Sequence, residues 1–252
     1  MSKNNIKPLV SVVIPTIPSR KELFDRAVRS VNDQTYDNIE IIMVNEGLPA
    51  TTQRNIGITR SHGDFIAFLD DDDTWKPTKI EKQVKYLLEH PECFLVIHWS
   101  YDKRVGKGRI NKPPLQIYFS DLIKGFQLSS TSSYMVRKSA LKEMELIYGS
   151  IFDTNLLTGH EYDLAIRLCK QFGGIHCIQE TLMTQYKTPG QISENWGKKI
   201  RSQFMFIDKW GEYYSVVDYC KRLGLSGLFF FGFFIGDRVM YPINFMKKRF
   251  EE

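Results

Sequence analysis

The chain carries little that would mark a secreted, membrane-spanning or nucleic-acid-binding protein. Four of its 252 residues are cysteine (Cys93, Cys169, Cys177, Cys220) and none belongs to a Cys-x-x-Cys pair. Neither a disulfide framework nor a zinc ribbon is therefore expected, and buried free thiols are. The N-terminus, MSKNNIKPLV, lacks the apolar centre of a signal peptide, so a cytoplasmic protein is expected. A net charge of +5 is too small to argue for nucleic acid, though it suits an anionic ligand or an anionic membrane surface. There is no internal repeat and no low-complexity linker. No G-x-G-x-x-G or Walker loop follows the first apolar run, which excludes two common ways for an α/β sheet to cradle phosphate.

What is present reads as one α/β domain. The composition is that of a folded globule, 42% hydrophobic and 25% charged. Leu9 to Ile14, Ile39 to Val44 and Phe65 to Leu69 are short apolar runs rich in β-branched residues, the profile of strands buried on both faces. Helical patterns alternate with them. Ser19-Arg20-Lys21-Glu22 and Thr78-Lys79-Ile80-Glu81 have capping-box spacing, and Thr52 to Ser61 reads as a short helix. Further on, Cys93 to Trp99, Ser132 to Val136 and Ile175 to Tyr186 read as extended, and Lys103 to Pro114 as a basic loop. Glu161 to Phe172 reads as an amphipathic helix stopped by Gly173-Gly174. Such alternation predicts a mostly parallel central sheet flanked by helices.

The stretch FIAFLDDDDTW, Phe65 to Trp75, is the chain's most pointed feature. Adjacent carboxylates at a strand end repel one another, and no turn chemistry asks for four. A solvated acidic turn is one explanation. A divalent cation is the other, since hard carboxylate oxygens suit Mg²⁺ or Mn²⁺ bridging to a diphosphate. In open α/β sheets ligands sit beyond the carboxyl ends of strands, where Pro15-Thr16, Asn45-Glu46 and Asp70 to Asp73 would meet.

VSVVIPTIPSR, QTYDNIEIIMVNE, QRNIGI and GDFIAFLDDDDTWKPTKIEKQ, in that order over residues 9 to 90, resemble the nucleotide-binding half of family 2 glycosyltransferases of the GT-A fold. GHEYDLAIRL, Gly159 to Leu168, is similar to the family's acceptor-side helix. The resemblance implies a single GT-A (Rossmann-like) domain over residues 1–222, with a nucleotide half at about 9–100 and an acceptor half at about 101–222. It implies an inverting, metal-dependent transfer from a nucleoside diphosphate sugar to a glycan or lipid-linked acceptor, with Mn²⁺ or Mg²⁺ as cofactor. Pro15, Thr16, Arg20, Asn45, Glu46, Arg54, Asp70 and Asp71 would contact the nucleotide, Asp72 the metal, and Glu161 would be the general base. Ser132, His160 and Trp196 are candidates for sugar or acceptor contact. The family more often has Glu-Asp where this chain has His160-Glu161, and an aspartate where Asn45 stands. The late loop Tyr186 to Ser193 lacks the histidine that the family often holds there. The alternatives are a sugar-1-phosphate nucleotidyltransferase, which PTIPSR lacks the glycine-rich loop for, and a sugar-nucleotide-binding protein without catalysis.

Outside that resemblance, Arg167 is expected to pair with Asp163 four residues before it. Residues 223–252 form an apolar and basic appendage. Leu223 to Ile235 holds five phenylalanines within positions 229 to 234, and Lys247-Lys248-Arg249 follow. This run is too short for a bilayer, which takes ~20 apolar residues. A helix apolar all round must be covered by its own domain, by a second copy in a homodimer, or by lipid. Peripheral contact of 223–249 with a membrane's cytoplasmic face is the expectation.

Overall fold

A computed structural model describes residues 7–218, apart from 105, 126–127, 187, 189–195 and 216; the 223–252 appendage lies outside the described residues. The first apolar run becomes strand β1 (Val10–Pro15), buried at every position. Strands β2 (Ile39–Val44) and β3 (Phe65–Phe68) flank it in parallel. Side chains alternate across a strand, and the two faces of β1 and β3 feed separate cores. Val13, Ile66 and Phe68 join one; Val12, Ile14, Ala67 and Leu69 join the other. Both faces are covered, which is why these strands read as continuous apolar runs rather than alternating ones.

The helices on this half are α1 (Lys21–Asn32), α2 (Ala50–Arg60) and α3 (Lys79–Glu89). Helix α2 packs so closely on β1 that a Cβ on Gly57 would lie 2.3 Å from Val13 Cγ1. Neither predicted capping box forms. Ser19 falls in a 3₁₀ turn before α1, and neither α1 nor α3 has a side-chain cap at its own N-cap residue. A tertiary contact replaces the second box: Gln34 Oε1 accepts from the Ile80 N–H at 2.9 Å, and Glu81 accepts from the Thr35 hydroxyl at 2.7 Å instead of reaching back to Thr78.

Beyond the two-residue strand β4 (Thr74–Trp75) and α3, the chain adds β5 (Leu95–Asp102), β6 (Arg109–Asn111), β7 (Gln116–Ile117), α4 (Phe119–Ile123), β8 (Met135–Arg137), α5 (Lys138–Tyr148), α6 (His160–Phe172), β9 (Ile175–Gln185) and α7 (Trp196–Trp210). The sheet order is β2-β1-β3-β8-β5-β9-β4, with β6 on β5 and β7 on β9. β8 runs antiparallel to both β3 and β5, so β5 points the same way as β1 and β3, and β9 pairs parallel with β5. Five strands, β1, β2, β3, β5 and β9, therefore end on one edge. The expected loop at Lys103 to Pro114 is in part a hairpin. Gly106 and Gly108, at φ of +44° and +86°, turn the chain so that β6 pairs with the end of β5; three residues with a single apolar one, Ile110, are too few to show a strand's alternation. The expected strand at Ser132 to Val136 begins as a 3₁₀ turn over Thr131–Ser133 and leaves only three residues for β8.

Arg167 and Asp163 pair inside α6 as expected, both buried, with Nε to Oδ2 at 2.8 Å. The remaining polar atoms are also engaged. Arg167 donates to the Ser150 and Ile151 carbonyls, while Asp163 Oδ1 accepts from Trp210 Nε1 at 3.1 Å and lies 2.9 Å from Lys209 Nζ. The network ties α6 to α7 and to the turn before α6. Removing one partner strands a buried charge, which costs about 3–5 kcal/mol. Asp163→Ala is therefore expected to lower stability by about that amount in urea unfolding, and a loss under 1 kcal/mol would contradict this assignment.

Candidate active site

The strand ends converge on a cleft of about 430 Å³, lined by Pro15 and Thr16 at the end of β1, the four aspartates after β3, Arg104 after β5 and Gln185 at the end of β9. β2 does not contribute in the expected way. Asn45 is exposed and does not line the cleft, and Glu46 turns away to pair with Arg60 at 2.9 Å.

The four aspartates are not equivalent. Asp70 and Asp72 are half-buried, and Asp71 and Asp73 are buried. The Asp73 N–H donates to the Asp70 carbonyl at 3.0 Å, closing a tight turn that alternates the carboxylates. Asp70 Oδ1 accepts from Arg54 at 2.5 Å. Asp71 accepts from the Thr16 hydroxyl at 2.8 Å and lies 3.0 Å from the Arg20 guanidinium. Asp72 Oδ2 accepts from Arg20 at 2.7 Å and from the Thr188 hydroxyl at 2.6 Å, and its backbone carbonyl accepts from Arg26 at 2.6 Å. Asp73 Oδ2 accepts from the Ser132 hydroxyl at 2.7 Å. Ser132, expected at the acceptor, is thus fully buried behind the turn, where its oxygen also accepts from the Asp70 N–H. Trp75 is likewise interior, donating its indole N–H to the Ser132 carbonyl at 2.7 Å.

Crowded carboxylates hold their protons more tightly. Burial, with added repulsion from Asp72 and Asp70, pushes Asp71 up to about 6, although Thr16 and Arg20 pull the other way. Burial and the charges of Asp70 and Asp72 push Asp73 well above the usual carboxylate range. Arg54, whose burial works against its charge, is kept ionised by Asp70, Glu161 and Asp71. Arg20, Arg54 and Arg104 line the cleft, and Arg26 lies against the outer side of the turn. They gather positive charge at the end of a sheet that has no glycine loop. Arg104 is fixed by two 2.9 Å bonds to Asp102.

Glu161 sits in the first turn of α6 and lines the same cleft as the aspartates. Its helix starts at Gly159, whose φ of +74° favours glycine and whose absent Cβ would press on the Phe206 ring at 3.0 Å. Tyr134 OH donates to the Glu161 carbonyl at 3.3 Å. Glu161 also borders a second cleft of about 430 Å³ that includes Arg109, Asn111 and Tyr162 and shares Arg104, Ser130 and Gln185 with the first. His160 lines the first cleft, and its Nε2 lies 2.8 Å from the Leu156 carbonyl. Burial lowers its proton affinity although Glu161 raises it; the ring is held as a donor to that carbonyl. Trp196 is the first residue of α7, and its side chain lies outside the described residues.

Pro15, Thr16, Arg20, Arg54, Asp70, Asp71, Asp72, His160 and Glu161 therefore share one cleft. Asp73, Gln53, Arg104 and Gln185 were missing from the sequence-derived set. Asp73 was legible as part of the acidic run. Arg104 and Gln185 carried no local signal, because only the pairing of β5 with β9 brings them to the same edge.

The chain is similar to several known glycosyltransferases. Residues 46–144 match the model of the family described as Glycosyl transferase family 2. An uncharacterized glycosyltransferase of Methanocaldococcus jannaschii is 25% identical over 93% of this chain and 88% of its own length. TuaG of Bacillus subtilis, whose name provisionally assigns it to teichuronic acid biosynthesis as a glycosyltransferase, is 25% identical over 80% of this chain and 88% of its own. Among solved structures, S. aureus TarS aligns with a TM-score of 0.59 and 13% identity over 79% of this chain and 40% of that one. TarS residues 1–349, solved in complex with UDP, align at 0.57 and 13% identity over 85% of this chain and 69% of that one. Among the described residues no helix is long and apolar enough to cross a membrane. The chain is thus similar to family 2 glycosyltransferases over residues 46–144, and it shares the GT-A fold.

Proposed function

We propose that the protein transfers a sugar from a nucleoside diphosphate sugar to an acceptor hydroxyl with inversion at the anomeric carbon. The observation that carries this is the position of Glu161 on the wall shared by two clefts, one rich in arginines and aspartates, the other open beside it. The donor is proposed to be a uridine diphosphate sugar, since TarS was solved with UDP and with UDP-GlcNAc. Arg20, Arg54 and Arg104 would hold the diphosphate. In the second cleft the acceptor oxygen would approach the anomeric carbon from the side opposite the diphosphate. Its proton would pass to a Glu161 carboxylate oxygen while the bond from the anomeric carbon to the phosphate oxygen breaks and its electron pair leaves with the diphosphate.

The donor set suits a hard divalent ion. Asp70 and Asp72 present carboxylate oxygens to the cleft, and Asp71 and Asp73 behind them suffer a repulsion that a cation would relieve. Asp72, with Asp70 beside it, would hold Mn²⁺ or Mg²⁺, and the ion would supply Lewis-acid stabilisation to the departing diphosphate. The second cleft carries Arg104 and Arg109, so an acceptor with a negative group, such as a growing glycan or lipid-linked precursor bearing phosphate or carboxylate, fits it best. Peripheral membrane contact through 223–249 would suit such an acceptor.

A panel of sugar nucleotides, each incubated with the protein and Mn²⁺ and then with EDTA, tests the proposal. At least one uridine diphosphate sugar is expected to release UDP above background, and EDTA to stop it. Tight donor binding with no turnover on any donor or added acceptor would instead identify a sugar-nucleotide-binding protein.

A further inference from the structure

The edge of the sheet opposite the active site holds a second cluster of ligand-type side chains. His90, Glu92 and His176 each offer a donor atom, all within 4.8 Å of one another. His176 is the second residue of β9, and Gln185 in the active-site cleft is nine residues further along the same strand. β9 is bulged between them, and its partner β5 covers the same stretch in the six steps from Val96 to Asp102, so the two places lie about 20 Å apart. This cluster therefore lies well outside the glycosyltransferase machinery.

We propose that His90, Glu92 and His176 form a binding site for a first-row transition ion of the zinc class. Two imidazoles and one carboxylate are a donor set for zinc rather than for magnesium or calcium, which prefer oxygen. The His90 Nδ1 to Glu92 Oε1 distance is 3.1 Å, close to the roughly 3.3 Å that separates neighbouring ligands in a tetrahedral zinc site with bonds near 2.0–2.1 Å. The third donor lies within 4.8 Å of both, and Glu92 is exposed enough to turn toward a shared ion.

The backbone beneath the donors is already fixed. The Cys93 N–H donates to the His90 carbonyl at 3.0 Å, closing the turn that carries His90 and Glu92. Arg137 donates to the Cys93 carbonyl at 2.8 Å and to the His90 carbonyl at 3.2 Å. His176 is locked in β9 between Val96 of β5 and Gln116 of β7. The Tyr86 hydroxyl lies 3.1 Å from His176 Nδ1 and the Tyr86 ring stacks on His90 at 4.3 Å. Such outer contacts set the orientation of ligating imidazoles. A bound ion would clasp the turn after α3 to the head of β9. Three protein ligands leave its fourth position to water.

The test is zinc titration of the full chain by calorimetry, with Mg²⁺ in excess to occupy the aspartates of the active site. One equivalent of zinc is expected to bind, with at least a tenfold weaker dissociation constant in both His90→Gln and Glu92→Gln. Cobalt substitution should give the intense visible absorption of a tetrahedral site, and that signal should be lost in His90→Gln. Thermal melting should rise with zinc in the unaltered chain only, while UDP affinity stays the same in all three proteins. No uptake by the unaltered chain overturns the proposal. So does uptake with unchanged affinity in both variants, because the ion would then be held elsewhere. His90 and Glu92 lie at the surface side of the turn, so their replacement tests binding without depending on a buried histidine.

Discussion

Replacing Glu161 with glutamine is expected to lower the rate of sugar transfer by ~10²–10⁴-fold while leaving donor affinity within a factor of about three. Glutamine keeps the length and a hydrogen-bonding oxygen but cannot take a proton at pH 7. The two measurements separate base catalysis from binding. Arg54, the buried cation that senses Glu161, has Asp70 as its direct partner and keeps it in the variant, so the nucleotide side of the cleft should stay intact. A carboxylate in the first turn of α6 also interacts with the helix dipole, which at such positions is worth about 0.3–1 kcal/mol. That role predicts a small drop in melting temperature and nothing more. A variant that transfers sugar normally, or whose whole loss appears as weaker donor binding, would remove Glu161 from the role of base.

The parts of this site that were legible in the sequence share a cause. Asp70 to Asp73 and Glu161 sit next to short, strongly patterned elements, β3 and α6, whose ends are marked by the pattern itself. Arg167 and Asp163 were legible because both partners lie on one helix at a spacing of four. What stayed hidden depends on contacts between distant segments. Gln34 replaces a local cap on α3 from 46 residues away. Ser132 reads as the start of a strand and as a candidate acceptor contact until the pairing of β3 with β8 places it under the aspartates, 59 residues from Asp73. Arg104 reads as part of a basic loop until the β5–β6 hairpin gives it a fixed place beside Asp102. Glu46 illustrates the converse. It follows β2 at the right end of the sheet, yet Arg60 on the exposed side of α2 draws it outward. Proximity in the chain marks where a strand ends, whereas the partner of a side chain at that end is set by tertiary charge pairing.

Asp72→Asn is expected to lower metal-supported transfer by on the order of 10²–10³-fold, since an ion that stabilises a departing diphosphate is worth several kcal/mol to the transition state. Activity alone would not separate a ligand role from a structural one, because Asp72 Oδ2 also holds Arg20 and Thr188. The sign of a second measurement does. Without metal, the Asp72 carboxylate repels the diphosphate of UDP, and neutralising it should leave metal-free UDP affinity equal or higher. Releasing Arg20 from one of its two aspartates would push the same way, as Arg20 keeps Asp71 at 3.0 Å and has more of its charge left for phosphate. With Mn²⁺ the order should reverse, with the variant binding UDP at least tenfold more weakly than the unaltered chain. Asp73→Asn supplies the contrast: its carboxylate is buried against Ser132 and held well above the usual range, so its loss should leave the manganese dependence of UDP binding in place. Calorimetry of UDP with and without Mn²⁺ on the three proteins decides the matter. Equal manganese dependence in Asp72→Asn and the unaltered chain would take the ion away from Asp72.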